Sequence, residues 1–402
     1  MQVIADLHLH SRYAMATSRD TDLEHIAAGA KAKGLNLLAT GDFTHPLWLR
    51  ELRAKLVPIA GTGLFSYSGV TWMLSCEVST VYRQAGKTRK VHHLVYAPDF
   101  ESVEQINDAL AHHGKLSSDG RPTLTEIDAP ELVEILTGVS DSVFVVPAHA
   151  WTPFFSVFGS RSGFDSLDEC YGDQAKKIFA IETGLSSDPQ MNWRLSQLDR
   201  IALMSNSDAH SPNPWRLGRE ANVFELNKLT YHEIFDSVKK KDGSRFLYTI
   251  EVDPSYGKYH YSGHRACGVS LSPAESIRAG NRCPKCGKKV TVGVLQRVEE
   301  LADRPDGFVP EGAIPFKRLL PLYEVISHAT GVKRLYVKKV IDQQDALIRA
   351  FGNELAVLLQ VDREGLLRVA GETVANAVMA QRENRVLVVP GYDGVYGEPR
   401  FA

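Results

Sequence analysis

Short β-branched or leucine-rich runs alternate with amphipathic segments from the N-terminus onward, the pattern of a parallel sheet with crossover helices. Residues 2–9 read as a strand, Asp22 to Lys33 as a helix stopped by Gly34, and Leu35 to Thr40 as a second strand. Further strands are predicted at 70–78, 90–97, 142–148, 177–182 and 201–206, with helical stretches between most of them. Seven strands of this kind predict a closed α/β barrel over residues 1–250.

The alternation ends near residue 250, where an aromatic, glycine-rich stretch from Pro254 to Gly263 leads into His264, Cys267, Cys283 and Cys286. Residues 251–305 are therefore read as a small metal-stapled unit. From about 316 the periodicity becomes helical: Phe316 to Thr330, Lys338 to Phe351 and Glu372 to Asn384 carry apolar residues at helical spacing, and the first two end at Gly331 and Gly352. The tail reads as a strand, Val386 to Val389, followed by a turn-rich segment, so residues 306–402 are expected to form a mainly helical third domain. There is no internal repeat and no low-complexity tract.

Composition adds limits. At 402 residues, 44% hydrophobic and 23% charged, the chain is that of an ordinary folded protein with room for several domains. No apolar run is long enough to span a bilayer, and Met1 to His10 lack the basic start and apolar middle of a signal peptide, so no membrane partner and a cytoplasmic location are expected. A net charge of −2 argues against coating nucleic acid by bulk charge, leaving local patches as the means of contact. Three of the five cysteines cluster at metal-ligand spacing, which favours metal over disulfides.

The strongest chemical signal is Asp6-Leu7-His8-Leu9-His10 at the end of the first strand. Side chains alternate along a strand, so His8 and His10 project to one side and can grip one metal together. Ligand-type residues then fall at the ends of later strands: Asp42, Glu77, the pair His92-His93, His149, and Asp208 with His210. In a barrel those ends meet at one rim, where such folds place their chemistry. Whether His92 or His93 faces the rim depends on strand phase, since neighbours point to opposite faces. Carboxylate and imidazole donors suit divalent ions such as zinc or manganese, and two such ions could activate a water and clamp a phosphate ester, with Asp208, Glu77 and His149 as candidate catalytic residues.

These segments resemble the successive motifs of the polymerase and histidinol phosphatase (PHP) superfamily over residues 1 to about 235. The resemblance implies a distorted (β/α)7 barrel with a two- or three-metal site. It further implies that His8, His10, Glu77 and Asp208 hold one metal, that Glu77 bridges to a second held by His93 and His149, and that Asp42 and His210 help hold a third.

Cys283-Pro284-Lys285-Cys286-Gly287 is a knuckle whose other half is His264-Arg265-Ala266-Cys267. Three thiolates and an imidazole fill a tetrahedral zinc, so this site is expected to be structural. The order of barrel, ribbon and helical tail, with Thr40-Gly41-Asp42 and Val91-His92-His93-Leu94, is similar to the endonuclease Q family over nearly the whole chain. That family is implicated in DNA repair, nicking on the 5′ side of uracil, hypoxanthine or xanthine and at abasic sites. The resemblance implies damaged DNA, as duplex or single strand, as the partner; charge and position make Arg12, Lys285, Lys288, Lys333, Arg334 and Lys338 the candidate DNA contacts. A replication-clamp contact is not readable in the residues. The competing readings are a small-molecule phosphatase, which needs neither ribbon nor tail, and a non-catalytic DNA-binding protein with a relic metal site, whose expected mark is the loss of several ligands.

Overall fold

In the computed structural model, which describes residues 1–332, 334 and 336–401, the chain begins with β1 (Gln2–Asp6) and helix α1 (Leu23–Lys33). The Asp22 carboxylate caps α1 by accepting from the His25 amide, and Gly34 ends it at φ 100°, a left-handed value that glycine reaches without strain. Next come β2 (Leu37–Ala39), β3 (Val70–Gln84), β4 (Lys87–Ala97), β5 (Phe144–Pro147), β6 (Ala180–Glu182) and β7 (Ala202–Met204). Pairing runs from β1 through β2, β3 and β4 to β5, and separately from β6 to β7. A bond from the Ala150 amide to the Glu182 carbonyl joins the β5 and β6 ends, and a bridge between Leu9 and Ala209 brings the end of β7 back to β1. The result is a distorted (β/α)7 barrel.

One strand departs from the parallel expectation. β3 and β4 form an antiparallel hairpin in which Gln84 faces Lys87 across the two-residue loop Ala85-Gly86. Both loop residues have positive φ, 50° and 76°, the mirror-type turn that suits the twist of two tightly joined strands. β4 therefore runs back through the site, and His92 and His93 lie within the strand rather than at its end.

The core is in layers. Val3, Ala5, Leu37, Ala39, Met73, Leu94, Tyr96, Val146, Ala180 and Ala202 share an inner cluster, while Leu38, Trp72, Leu74 and Val95 pack outward with α1 residues such as Leu23, Ile26 and Ala30. The inner cluster continues into α2 (Tyr231–Lys239), where the buried Tyr231 hydroxyl donates to the carbonyls of Tyr96 and Ser142.

Beyond the barrel, β8 (Ala221–Glu225) pairs antiparallel with β1, and β9 (Phe246–Glu251) extends the sheet. A small hairpin, β10 (Ser262–His264) with β11 (Val269–Leu271), carries the cysteine cluster, and α3 (Val294–Leu301) follows. Phe316–Arg318 forms β12, parallel to β9, so the helix predicted from Phe316 starts only after Pro321, as α4 (Leu322–Ala329). Sheet pairing takes the three residues that helical periodicity had claimed. α5 (Lys338–Phe351), α6 (Glu354–Leu359) and α7 (Arg363–Arg382) complete the helical region. α7 breaks at Gly371, φ 78°, which is why helical periodicity began only at Glu372. The hairpin β13 (Val386–Val389) with β14 (Glu398–Phe401) ends it.

Among the described residues no helix is long and apolar enough to cross a membrane.

Candidate metal centre

Glu77 lies at the middle of the rim, fully buried on β3, and divides its carboxylate between two groups of imidazoles. Its Oε2 is 3.1 Å from His10 Nε2 and 3.6 Å from His8 Nε2. Its Oε1 is 2.8 Å from His92 Nδ1 and 3.2 Å from His149 Nε2. Asp208 Oδ1 approaches the first group, 3.2 Å from His10 Nε2 and 3.6 Å from His8 Nε2. Three ligand sets with donor atoms within 4.8 Å of one another follow: His8, His10 and Glu77; His10, Asp208 and His210; and Glu77, His92 and His149.

These donors fit divalent metal ions. His8 Nε2, His10 Nε2 and Asp208 Oδ1 are buried without a hydrogen-bond partner, which is costly unless a cation takes their lone pairs. The far side of each imidazole is fixed. His8 Nδ1 donates to Glu182 at 3.0 Å, and His10 Nδ1 donates to Asp42 Oδ1 at 2.8 Å, so both rings present Nε2 to the centre. His149 Nδ1 lies 3.1 Å from Ser156 Oγ.

Burial opposes ionisation of Glu77, yet the charged Arg121 guanidinium helps hold its carboxyl well below the usual range. Burial lowers His92 to about 4, which keeps it the neutral imidazole that binds metal. Asp42, His149 and Asp208, just past β2, β5 and β7, have φ of 51°, 31° and 47°. Left-handed backbone at three non-glycine residues costs on the order of 1–3 kcal/mol each and clusters where side chains must be aimed.

Most of the predicted ligands meet at the rim. His8, His10, Glu77, His92, His149, Asp208 and His210 come together. His93 does not: it shares the outward face of β4 with Val91 and Val95, and its ring contacts Thr80 Oγ1 at 3.1 Å and the Tyr171 hydroxyl at 3.0 Å. His92 takes the inward phase shared with Leu94 and Tyr96, so the second ligand set contains His92 where the resemblance had implied His93. Asp42 stands behind His10, its Oδ2 accepting from the Ser11 amide and hydroxyl at 2.6 and 2.7 Å.

Two residues that sequence reasoning missed belong to the site. Glu182 ends β6, the one barrel strand without a predicted ligand, and accepts from His8, the His149 amide at 2.7 Å and Asn206 at 2.9 Å. Its place at a strand end was the available signal. Arg121, on the loop leading to residue 123, reaches Glu77 Oε2 with Nη1 at 3.2 Å. No motif marks it.

Beside the centre opens a cavity of about 530 Å³ lined by His149, Asp208 and His210, by Arg216, Arg219 and Lys258, and by Tyr259, Tyr336 and Tyr396. The Lys258 ammonium lies 5.8 Å from the ring centres of both Tyr259 and Tyr396.

The second cluster joins His264, Cys267, Cys283 and Cys286, with Cys286 Sγ 3.4 Å from His264 Nδ1. Gly287, φ 72°, turns the knuckle so that its amide donates to the Cys283 carbonyl at 2.8 Å. Four such donors fit one tetrahedral divalent ion.

Of the predicted DNA contacts, Arg12 pairs with Glu51 at 2.8 Å and Lys338 with Asp342 at 2.7 Å. Lys285 is exposed and donates to the Cys267 carbonyl at 2.9 Å, Lys288 and Arg334 are exposed, and Lys333 lies outside the described residues.

Comparison with known proteins gives a consistent picture. Residues 321–385 match the family model described as the MJ0043 C-terminal domain. The chain is 34% identical over 255 residues to the uncharacterized protein MJ0043 of Methanocaldococcus jannaschii, a match covering 63% of this chain and only 31% of that protein's length. The crystal structure of the lesion-specific endonuclease PfuEndoQ from Pyrococcus furiosus superposes with a TM-score of 0.89 at 36% identity, covering 100% of this chain and 96% of that one. A crystal structure of endonuclease Q in complex with a 27-mer duplex substrate, with an abasic lesion at the active site, superposes with a TM-score of 0.90 at 37% identity, covering 100% and 97%.

Proposed function

The chain belongs to the endonuclease Q family, and from that premise we propose that it is a metal-dependent DNA repair endonuclease that hydrolyses the phosphodiester on the 5′ side of a deaminated base (uracil, hypoxanthine or xanthine) or of an abasic site. The observation that carries this reading is the division of Glu77 between two imidazole groups at the edge of a cavity with cationic and aromatic walls.

His8, His10, Asp208 and Glu77 would hold one ion, Glu77, His92 and His149 a second, and His210 with His10 and Asp208 offers a third set, for zinc, manganese or magnesium. Ions so held supply a water of lowered pKa and neutralise charge on the phosphate oxygens. The protein's own part is to aim and exclude. Glu182 and Asp42 fix the His8 and His10 rings, so the donors are in place before substrate arrives.

Taking a damaged nucleotide out of a duplex costs a few kcal/mol of unstacking. Tyr259 and Tyr396 offer ring faces to offset that cost, and Arg216, Arg219 and Lys258 offer charge to the backbone. The ribbon, with a structural zinc on His264, Cys267, Cys283 and Cys286, and the helical region would grip the flanking DNA, through exposed cations such as Lys288 and Arg334. The cytoplasm, with its DNA, is the proposed location.

The test is cleavage of end-labelled duplexes carrying one deoxyuridine, deoxyinosine or abasic site, with manganese, magnesium or zinc, beside an undamaged duplex and p-nitrophenyl phosphate. A nick immediately 5′ of the lesion and absent from the undamaged duplex is expected. Hydrolysis of the small ester alone would replace the reading with a phosphatase, and lesion binding without any hydrolysis would replace it with a DNA-binding protein.

A further inference from the structure

Arg121 is delivered to the metal centre by a tightly held loop. Its amide and that of Met15 both donate to Asp119 Oδ1, the Gly120 amide donates to the Tyr13 carbonyl at 3.0 Å, and the Pro122 carbonyl accepts from the Ser79 amide on β3 at 3.0 Å. Gly120 passes so close to Asp42 that a Cβ there would fall 2.4 Å from its Oδ2, which fixes the loop's distance from the site. The side chain is 26% exposed, so it holds the buried carboxylate while part of it stays open to solvent.

Glu77 Oε2 takes one guanidinium hydrogen bond, and this is the same oxygen that faces His8 and His10. A planar guanidinium has five donors in a fixed fork that matches phosphate oxygens. Arg12, the predicted DNA contact that follows His10 by two residues, is occupied by Glu51 and Asp22.

Building on the reading of this centre as a phosphodiesterase, we propose that Arg121 is a catalytic residue that grips a non-bridging oxygen of the scissile phosphate. Water oxygen adds to phosphorus, the bond to the leaving oxygen breaks, and the leaving oxygen gains a proton. Negative charge builds on the non-bridging oxygens meanwhile, and the Arg121 donors meet it there without transferring a proton themselves. A fixed donor of this kind contributes about 10²-fold or more to turnover.

The test compares wild type, Arg121→Ala and Arg121→Lys on lesion duplex and on bis(p-nitrophenyl) phosphate, with metal content by elemental analysis and binding of uncut lesion duplex by anisotropy in EDTA. Expected are a fall in kcat of about 10²-fold for the alanine variant on every substrate that wild type cleaves, partial recovery with lysine or added guanidinium, and unchanged metal content. Turnover like wild type would overturn the proposal. So would a loss of metal that accounts for the loss of rate, since Arg121 would then only position Glu77. If wild type cleaves the small diester but not the lesion duplex, the DNA reading fails, and the Arg121 result on the small diester still decides the proposal.

Discussion

Glu182 accepts the Nδ1 proton of His8 at 3.0 Å while also accepting the His149 amide at 2.7 Å, so one buried carboxylate orients residues in both imidazole groups of the centre. It touches neither donor atom that faces the centre. Glu182→Ala should therefore lower metal affinity by roughly 10–100-fold while leaving the proposed ligands in place. Metal titration followed by elemental analysis checks this, and affinity equal to wild type would show that the His8 and His149 orientations do not depend on it.

Asp208 is the carboxylate beside the opening, with its side chain 31% exposed and Oδ1 without a hydrogen-bond partner. Asp208→Ala is expected to abolish nicking of lesion duplex while binding of the uncut duplex survives, because the cationic and aromatic walls of the cavity and the distant cations are untouched. Cleavage gels and anisotropy on one preparation separate the two effects. Loss of binding together with a lost thermal transition would mean that Asp208 supports the fold instead.

Much of the fold was legible because its signals are local. Asp22 and Gly34 mark the ends of α1, and the apolar runs of all seven barrel strands lie at or near their observed places. The reversed β4 was not legible, since its cause is the two-residue loop Ala85-Gly86 rather than any property of the strand. The choice of His92 over His93 needed the phase of β4, and that phase shows in the inward Leu94 and Tyr96. Glu182 sits on a three-residue strand with no histidine near it in sequence. Arg121 is brought to Glu77 by a loop, through contacts of which several cross more than forty residues. Such contacts leave no periodic trace.

Lys33 on α1 and Glu354 on α6 form an ion pair at 2.6 Å with both side chains essentially inaccessible. Glu354 also accepts from the Leu322 amide at 3.0 Å and from Gln344 at 3.0 Å, so the pair fastens the helical region to the barrel. Removing one member leaves a buried charge without its counter-ion. Lys33→Met should cost roughly 3–5 kcal/mol in urea unfolding, and Lys33→Met with Glu354→Gln should recover part of that loss. A single variant within experimental error of wild type would mean that water reaches the pair.

In the ribbon, the hydrogen bond from the Gly287 amide to the Cys283 carbonyl closes the turn that holds Cys283 and Cys286, beside a mini-core of little more than Val269 and Val290. So small a cluster cannot hold its fold without a metal staple. Cys286→Ser is expected to remove about one zinc per chain, leave the barrel ions in place and weaken DNA binding. Elemental analysis with anisotropy checks it, and full zinc content in the variant would move the ion elsewhere.

Glu251 ends β9 fully buried, accepting from Thr249 at 2.6 Å and from Thr183, the neighbour of Glu182, at 3.0 Å. Burial pushes its carboxyl up to about 8, and Asp188 adds to the rise while the hydrogen bonds from Thr249, Thr183 and Ser205 resist it. Burial, with Glu251 beside it, also raises the Glu220 carboxyl. A carboxyl held above its unfolded value of about 4.3 favours the protonated native state. Its contribution is complete below that value and is lost as pH rises through about 8. Stability should therefore decline from about pH 5 to pH 8, with a slope from this group of at most about 1.4 kcal/mol per pH unit. Glu251→Gln keeps a neutral group in the same place and should flatten that decline, so the variant gains on wild type at pH 8.5 and not at pH 5. Urea unfolding at the two pH values measures the difference, and equal slopes in both proteins would assign the pH dependence to other groups.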